Sequence, residues 1–151
     1  NLMGYHNDLK KIIESKEFLE GLFSVQNPAA VDVISLLKLE PSLKVWDACA
    51  APGGKTAFMA ELEPTLEILA TDISEKRLLS MQDLFSRLCL KNVKTACLDA
   101  SEKVPSEKFQ RILTLPHLLP QDRSRDFFGT LESLEKDLES YIFSSVRRLS
   151  K

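Results

Sequence analysis

Apolar positions recur every three or four residues at the start of the chain, then gather into short unbroken runs separated by further helical stretches. In HNDLKKIIESKEFLEGL, Leu9, Ile12, Ile13, Phe18 and Leu19 fall at helical spacing and Gly21 stands where a helix would end, so one N-terminal helix is expected. SVQNPAAVDVISLLKL adds a second: Asn27 can cap it, Pro28 suits a first helical position that needs no N–H, and Ala30, Val33, Ile34 and Leu37 form one stripe. LKVWDACA is a short apolar run ending at a Gly-Gly turn, and KTAFMAEL after it has Phe58, Met59 and Leu62 at helical spacing. Strand, tight turn and helix follow in order. The alternation repeats in LEILATDI, a buried strand, and SEKRLLSMQDLFSRLCL, a helix capped by Ser74 with Leu78, Met81, Phe85 and Leu88 on one face. VKTACLDA and FQRILTL read as third and fourth strands. The closing RDFFGTLESLEKDLESYIFSSVRRLSK places Phe127, Leu131, Leu134, Leu138, Tyr141, Val146 and Leu149 on one side of a long helix.

Strands that alternate with helices need crossover connections, so the sheet is parallel and the organisation doubly wound α/β. Four strands are few for this architecture, and the last helix should feed a fifth strand that the sequence does not contain. At 151 residues, 44% hydrophobic and 28% charged, the chain matches one soluble domain: an N-terminal helical segment over 1–40 packing on a core domain over 41–151. No opening apolar run suits a signal peptide and no stretch reaches the ~18 apolar residues of a membrane span, which implies a cytoplasmic chain without a membrane partner. Cys49, Cys89 and Cys97 are odd in number and lack C-x-x-C spacing, which argues against a disulfide framework, a zinc site or any other metal. A net charge of −2 gives no global pull toward phosphate backbones, so a nucleic-acid partner would need a local basic face.

Candidate chemistry concentrates in DACAAPGGKT, residues 47–56, where a strand passes into a helix and backbone N–H groups face outward from the helix start. A phosphate-binding P-loop would require glycine where Cys49 stands, and a dinucleotide loop wants three spaced glycines where this one has Gly53 and Gly54 adjacent. A structural turn is the plain alternative. Asp72, nineteen residues beyond Gly53, changes that balance, because an acid at this distance accepts hydrogen bonds from ribose hydroxyls in nucleoside-binding α/β folds. Asp99 holds the matching end of the third strand. Each acid alone could instead be a helix cap or a solvated loop carboxylate.

DACAAPGGKT, with LFSVQNPAA upstream and ATDISEKRL downstream, resembles the NOL/NOP/Sun family of RNA (cytosine-5) methyltransferases over about Gly21 to Leu113. The resemblance implies a Rossmann-like S-adenosyl-L-methionine-dependent methyltransferase fold, incomplete here on its C-terminal side, with rRNA or tRNA as partner. It implies that Ala50, Ala51, Pro52, Gly53, Gly54 and Lys55 wrap the methionine end of the cofactor, with Lys55 near its carboxylate. Asp72 would hold the ribose and Asp99 the adenine amine, with Arg77 counted in the same binding set. A lysine at a helix start suits a carboxylate, and an acid suits a vicinal diol. Cys49 is part of the family's loop but is not its nucleophile, which leaves it a packing role.

The family's reaction requires a cysteine thiolate that adds to the base and a second cysteine that assists release. Its fourth strand runs into Asp-Ala-Pro-Cys-Ser-Gly, whereas this chain runs FQRILTLPHLLPQ. Aligned without a gap, the family's aspartate falls on Leu115 and its cysteine on Leu118; a shift of one residue puts Pro116 on the proline and His117 on the cysteine. The family's later Thr-Cys-Ser has no counterpart. His117 could serve as a general base, yet between two prolines and without a catalytic partner it reads as a loop histidine. Lys10, Lys11, Lys16, Arg123, Arg125, Arg147 and Arg148 could meet RNA phosphates, although nearby acids balance them as solvated charges. Two explanations stand: a methyltransferase seen without the rest of its fold, exposing apolar surface along the fourth strand, or a non-catalytic cofactor-binding or RNA-protein assembly module whose fourth-strand edge is covered by PHLLPQDRSRDFFG or a protein partner.

Overall fold

A computed structural model describes residues 9–114 of the chain. Its elements are α1 (Leu9–Ile13), α2 (Lys16–Leu19), α3 (Pro28–Ser35), β1 (Lys44–Asp47), α4 (Gly54–Leu62), β2 (Glu67–Asp72), α5 (Glu75–Arg87), β3 (Val93–Cys97) and β4 (Arg111–Leu113). The expected closing helix, Leu115, Pro116, His117 and Leu118 lie outside the described residues. No helix among the described residues is long and apolar enough to cross a membrane.

The sheet runs β3-β2-β1-β4, with every pairing parallel. Val45 faces Ile68 on one side and Arg111 on the other, and Ile68 in turn faces Val93, so residues with period two line each face. On one face Val45, Ile68, Ala70 and Leu113 pack beneath α3, α4 and α5, meeting Ile34, Leu37, Met59, Ala57, Leu78, Met81 and Phe85. The opposite face holds Trp46, Leu69 and Ile112, and the segment after β3 covers them with Leu98, Ala100, Val104 and Phe109. Two crossovers that move in one direction across the sheet put both their helices on the same face. The connection from β3 to β4 carries no helix, so only irregular chain reaches the other face among the described residues.

Local sequence explains the boundaries. Ser74 caps α5 with its hydroxyl accepting from the Arg77 N–H at 3.4 Å, while Glu75 in the first turn and Arg87 in the last complement the helix dipole. Leu78, Met81, Phe85 and Leu88 are buried on one stripe of α5, as the spacing predicts. The stripe of Ala30, Ile34 and Leu37 is buried likewise, with Val33 packed beside it.

One expectation is corrected, and one residue of the helical spacing lies outside the core. The N-terminal stretch is two short helices, because Ser15 donates from Oγ to the Ile12 carbonyl at 2.7 Å and accepts from the Phe18 N–H at 3.2 Å, ending one helix and capping the next. Leu62 is 54% exposed at the last turn of α4 and takes no part in the core, since α4 turns mainly Met59, Ala57 and Ala60 inward. The N-terminal helices are fastened from a distance: Arg87 donates to the carbonyls of Phe18 at 2.5 Å and Phe23 at 3.3 Å, and its guanidinium stacks 3.9 Å from the Phe18 ring centroid.

Gly53 is the position on which the turn between β1 and α4 rests. Its φ of +99° lies in the left-handed region, and a Cβ there would stand 2.6 Å from Met81 Cγ and 3.2 Å from Phe85 Cε1. Gly53→Ala is therefore expected to lower stability by about 2–3 kcal/mol, through backbone strain and overpacking together. Urea denaturation of the variant checks this, and pairing it with a truncation of Met81 should give a loss smaller than the sum of the two.

Candidate functional site

The chain moves outward from β1 through β2 to β3, then returns to β4 on the other side of β1. That reversal falls between β1 and β4, and the carboxyl ends of strands at such a switch point are where open α/β sheets bind ligands. The glycine loop lies over it, pinned at three points. Ala48 donates to the Leu113 carbonyl of β4 at 3.0 Å, Ala50 to the Thr71 carbonyl of β2 at 2.9 Å, and Gly53 back to the Ala50 carbonyl at 2.7 Å. Backbone bonds to strands on both sides hold the middle of the loop.

Beneath the loop is a buried polar layer. Trp46 Nε1 donates to Thr71 Oγ1 at 2.9 Å, and that hydroxyl stands 3.3 Å from the Ala48 carbonyl oxygen. Asp47 ends β1 at 2% exposure, and its Oδ2 accepts a 2.7 Å hydrogen bond from Thr56 Oγ1 in the first turn of α4, where Thr56 is fully buried. Burial pushes the Asp47 carboxyl up to about 6; the Thr56 hydroxyl, the Lys55 charge and the Cys49 backbone amide each pull it back down.

The predicted site residues gather here. Ala50 turns its methyl into the core against Ala57, Ala70 and Met81, leaving its backbone to the loop. Ala51 is half-buried, Pro52 is exposed and follows a cis peptide bond, and Gly54 and Lys55 are half-buried at the start of α4. Asp72 is buried at the end of β2, where its Oδ1 accepts from the Ser74 N–H at 2.9 Å and pairs with Arg77 at 2.8 Å. Asp99 is half-buried beyond β3, and its Oδ1 accepts from the Ser101 N–H at 2.9 Å and from Ser101 Oγ at 2.5 Å. These charges converge on Cys49. Burial pushes its thiol up to about 12, with the carboxylates of Asp47, Asp72 and Asp99 adding to the rise and Arg77 opposing it. A thiol held that high is not a thiolate at neutral pH, and Cys49 packs against the cluster built on Trp46. Among the described residues no group of three or more His, Cys, Asp or Glu could hold a metal ion.

Asp47 and Thr56 were not among the residues singled out from the sequence. The signal was an acid and a hydroxyl bracketing the glycine loop, but such a pair gains meaning only when strand and helix fold back to bring its ends together.

The family model described as 16S rRNA methyltransferase RsmB/F matches residues 34–115. The ribosomal RNA small subunit methyltransferase B of Pseudomonas syringae pathovar tomato is 41% identical over 100 residues, covering 64% of this chain and 22% of that protein. Its counterpart in Shewanella oneidensis is 46% identical over 74 residues, covering 49% of this chain and 17% of that protein. The chain thus spans about a fifth of the length of the curated relatives it matches. Among solved structures, NSun6 from Pyrococcus horikoshii with SFG superposes with a TM-score of 0.68 at 30% identity, covering 78% of this chain and 36% of that one. TrmN from Thermus thermophilus gives 0.60 at 26% identity, covering 70% of this chain and 33% of that one. The family model and the curated relatives are rRNA methyltransferases.

The buried Asp47 has a measurable signature. Its carboxyl holds a proton more tightly in the folded chain, at about 6 against an ordinary 3.8, so its contribution is fully present below pH 3.8 and is lost as pH rises through 6. At about 1.4 kcal/mol per pH unit the loss amounts to about 3 kcal/mol. Urea midpoints measured from pH 4 to 7 are expected to carry this falling component, and Asp47→Asn should remove it. Thr56→Val, which takes away the Thr56 hydroxyl donor to Asp47, is expected to cost about 2 kcal/mol at pH 7.

Proposed function

Since the chain belongs to the 16S rRNA methyltransferase RsmB/F family, we propose that it binds S-adenosyl-L-methionine over the carboxyl ends of β1 and β2 and serves methylation of cytosine C5 in ribosomal or transfer RNA. The observation that carries this reading is the glycine loop pinned across β4 and β2 with the anchored Asp72 beside it. The family match and the likeness to a protein solved with SFG, an S-adenosylmethionine analogue, support the choice of cofactor.

The residues fit that cofactor chemically. Ser74 N–H and Arg77 both contact Oδ1 of Asp72, which holds the carboxylate at the end of β2 where it would accept from a vicinal diol. Arg77 in this reading orients Asp72 and contributes to the binding set. The backbone of Ala50, Ala51, Pro52, Gly53 and Gly54, with Lys55, wraps the methionine end, Lys55 standing near its carboxylate. Asp99, held by Ser101, takes the adenine amine. When bound, the cofactor supplies an electrophilic methyl group. Cys49 is a packing residue in this scheme, and no residue of the described chain is given the role of nucleophile.

The same proposal divides the chain into an N-terminal segment through residue 40 and a cofactor-binding domain from residue 41, places it in the cytoplasm, and takes RNA as its macromolecular substrate. A protein partner at the outer edge of β4 belongs with it.

Isothermal titration of the 151-residue chain with S-adenosylmethionine tests the reading. Asp72→Asn keeps an acceptor for the Ser74 N–H while removing the charge, and is expected to weaken binding at least about ten-fold, the cost of one charge-assisted hydrogen bond. No binding by a folded wild-type chain, or equal affinity in the variant, would count against the assignment.

A further inference from the structure

None of residues 11–28 is buried, and Leu19, Leu22, Phe23 and Val25 are exposed. The segment leading from α2 into α3 is therefore held by polar contacts and not by a share of the core. Arg87 grips it on both sides of Gly21: the guanidinium donates to the Phe18 and Phe23 carbonyls and stacks on the Phe18 ring, which meets the Phe23 ring edge-on at 5.6 Å. Gly21 closes the contact from its own side. Its φ is +77°, and a Cβ there would stand 1.8 Å from the Arg87 carbonyl oxygen, so glycine is what lets the chain lie on the end of α5.

From Arg87 the segment crosses to α4. Ser24 Oγ donates to Glu61 Oε2 at 3.0 Å near the end of that helix, and Gln26 Nε2 donates to Ser24 Oγ at 3.1 Å. Gln26 is half-buried, and its Oε1 lies 3.8 Å from the point that a Cβ on Gly54 would occupy, at the first residue of α4 and the second glycine of the loop. A carboxamide is thus set beside the loop by a segment with no core of its own. Segments with few buried apolar contacts open locally at a cost far below that of global unfolding.

We propose that residues 18–26 form a strap latched on α5 by Arg87 and Gly21, and that latching brings the Gln26 carboxamide to the methionine end of the bound cofactor, so that strap closure and cofactor binding reinforce each other. This inference rests on the cofactor reading above and adds regulation to that site. Pulling the strap off Arg87 lowers affinity for S-adenosylmethionine without touching the loop. Gln26 is the contact that a ligand gains only with the strap closed, and such a difference between two states is what links their equilibrium to binding.

The test is amide hydrogen exchange on the full chain, with and without S-adenosylmethionine, together with isothermal titration. The Gly21 and Leu22 amides report on the strap, since they donate to the Phe18 and Glu17 carbonyls at 3.0 Å. In the wild type, saturating cofactor is expected to slow exchange at both about five-fold. Arg87→Ala, and Gly21→Ala from the other side of the contact, should speed exchange at Leu22 at least about ten-fold while leaving β1 and β2 protected. Each should weaken S-adenosylmethionine about five-fold. Gln26→Ala should weaken it equally and leave exchange in the free protein unchanged. The double variant Arg87→Ala/Gln26→Ala should bind within about two-fold of either single variant, because Gln26 contributes nothing once the strap is open. Wild-type strap exchange that is indifferent to bound cofactor overturns the inference, and that measurement needs no variant to fold. So does a strap that Arg87→Ala leaves protected, a freed strap with cofactor affinity unchanged, or losses that multiply in the double variant. If the wild type binds the cofactor, Asp72→Asn loses it and the strap results fail, only the strap's role falls; if the folded wild type binds no cofactor, the cofactor reading falls and this one with it.

Discussion

The buried hydrogen bond from Thr56 Oγ1 to Asp47 Oδ2 joins the last residue of β1 to the first turn of α4, and the glycine loop is the chain caught between its two ends. The loop's own side chains are small, so its shape comes from this clasp and from the backbone bonds to Leu113 and Thr71. Gly53 completes the arrangement from the other side. Its left-handed backbone turns the chain into α4 while Met81 and Phe85 of α5 press against the space a side chain would fill. Clasp, turn and helix packing are three expressions of one constraint: α4 must start directly above β1.

Asp72 shows a second economy of the same kind. Its Oδ1 accepts from the Ser74 N–H and pairs with Arg77, while the Ser74 hydroxyl caps the Arg77 N–H. The residues that begin α5 are thus the residues that orient the acid at the end of β2. Because α5 also supplies Met81 and Phe85 beneath the loop, the two halves of the candidate site are braced by one helix. Stability and binding geometry are coupled here, since a change that loosens the start of α5 disturbs both.

Membership of the RsmB/F family agrees with this division of labour. The matched residues 34–115 contain the loop, Asp72, Asp99 and β4, the parts that make up the candidate site. The one cysteine within the loop is disqualified as a nucleophile by its surroundings, with burial and three carboxylates all opposing the thiolate.

Much of this was legible in the order of residues, because period and punctuation are local properties. The runs KVWD, EILATD and VKTAC, the stripe of Leu78, Met81 and Phe85, and the Ser74 cap are set by neighbours a few positions away, and the glycine loop followed by Asp72 marks a candidate site by spacing alone. Short-range chemistry hidden in the pattern was harder to see: Ser15 splits the N-terminal helix by bonding both ways along the chain, against an apolar spacing that runs straight through it. The strand order, the exposure of Leu62 and the protonation of Asp47 belong to another level. Asp47 is an ordinary aspartate until β4 closes on one side of it, β2 on the other and Thr56 comes down from α4; its charge state is a property of the dielectric that distant segments build around it, and no local pattern encodes that.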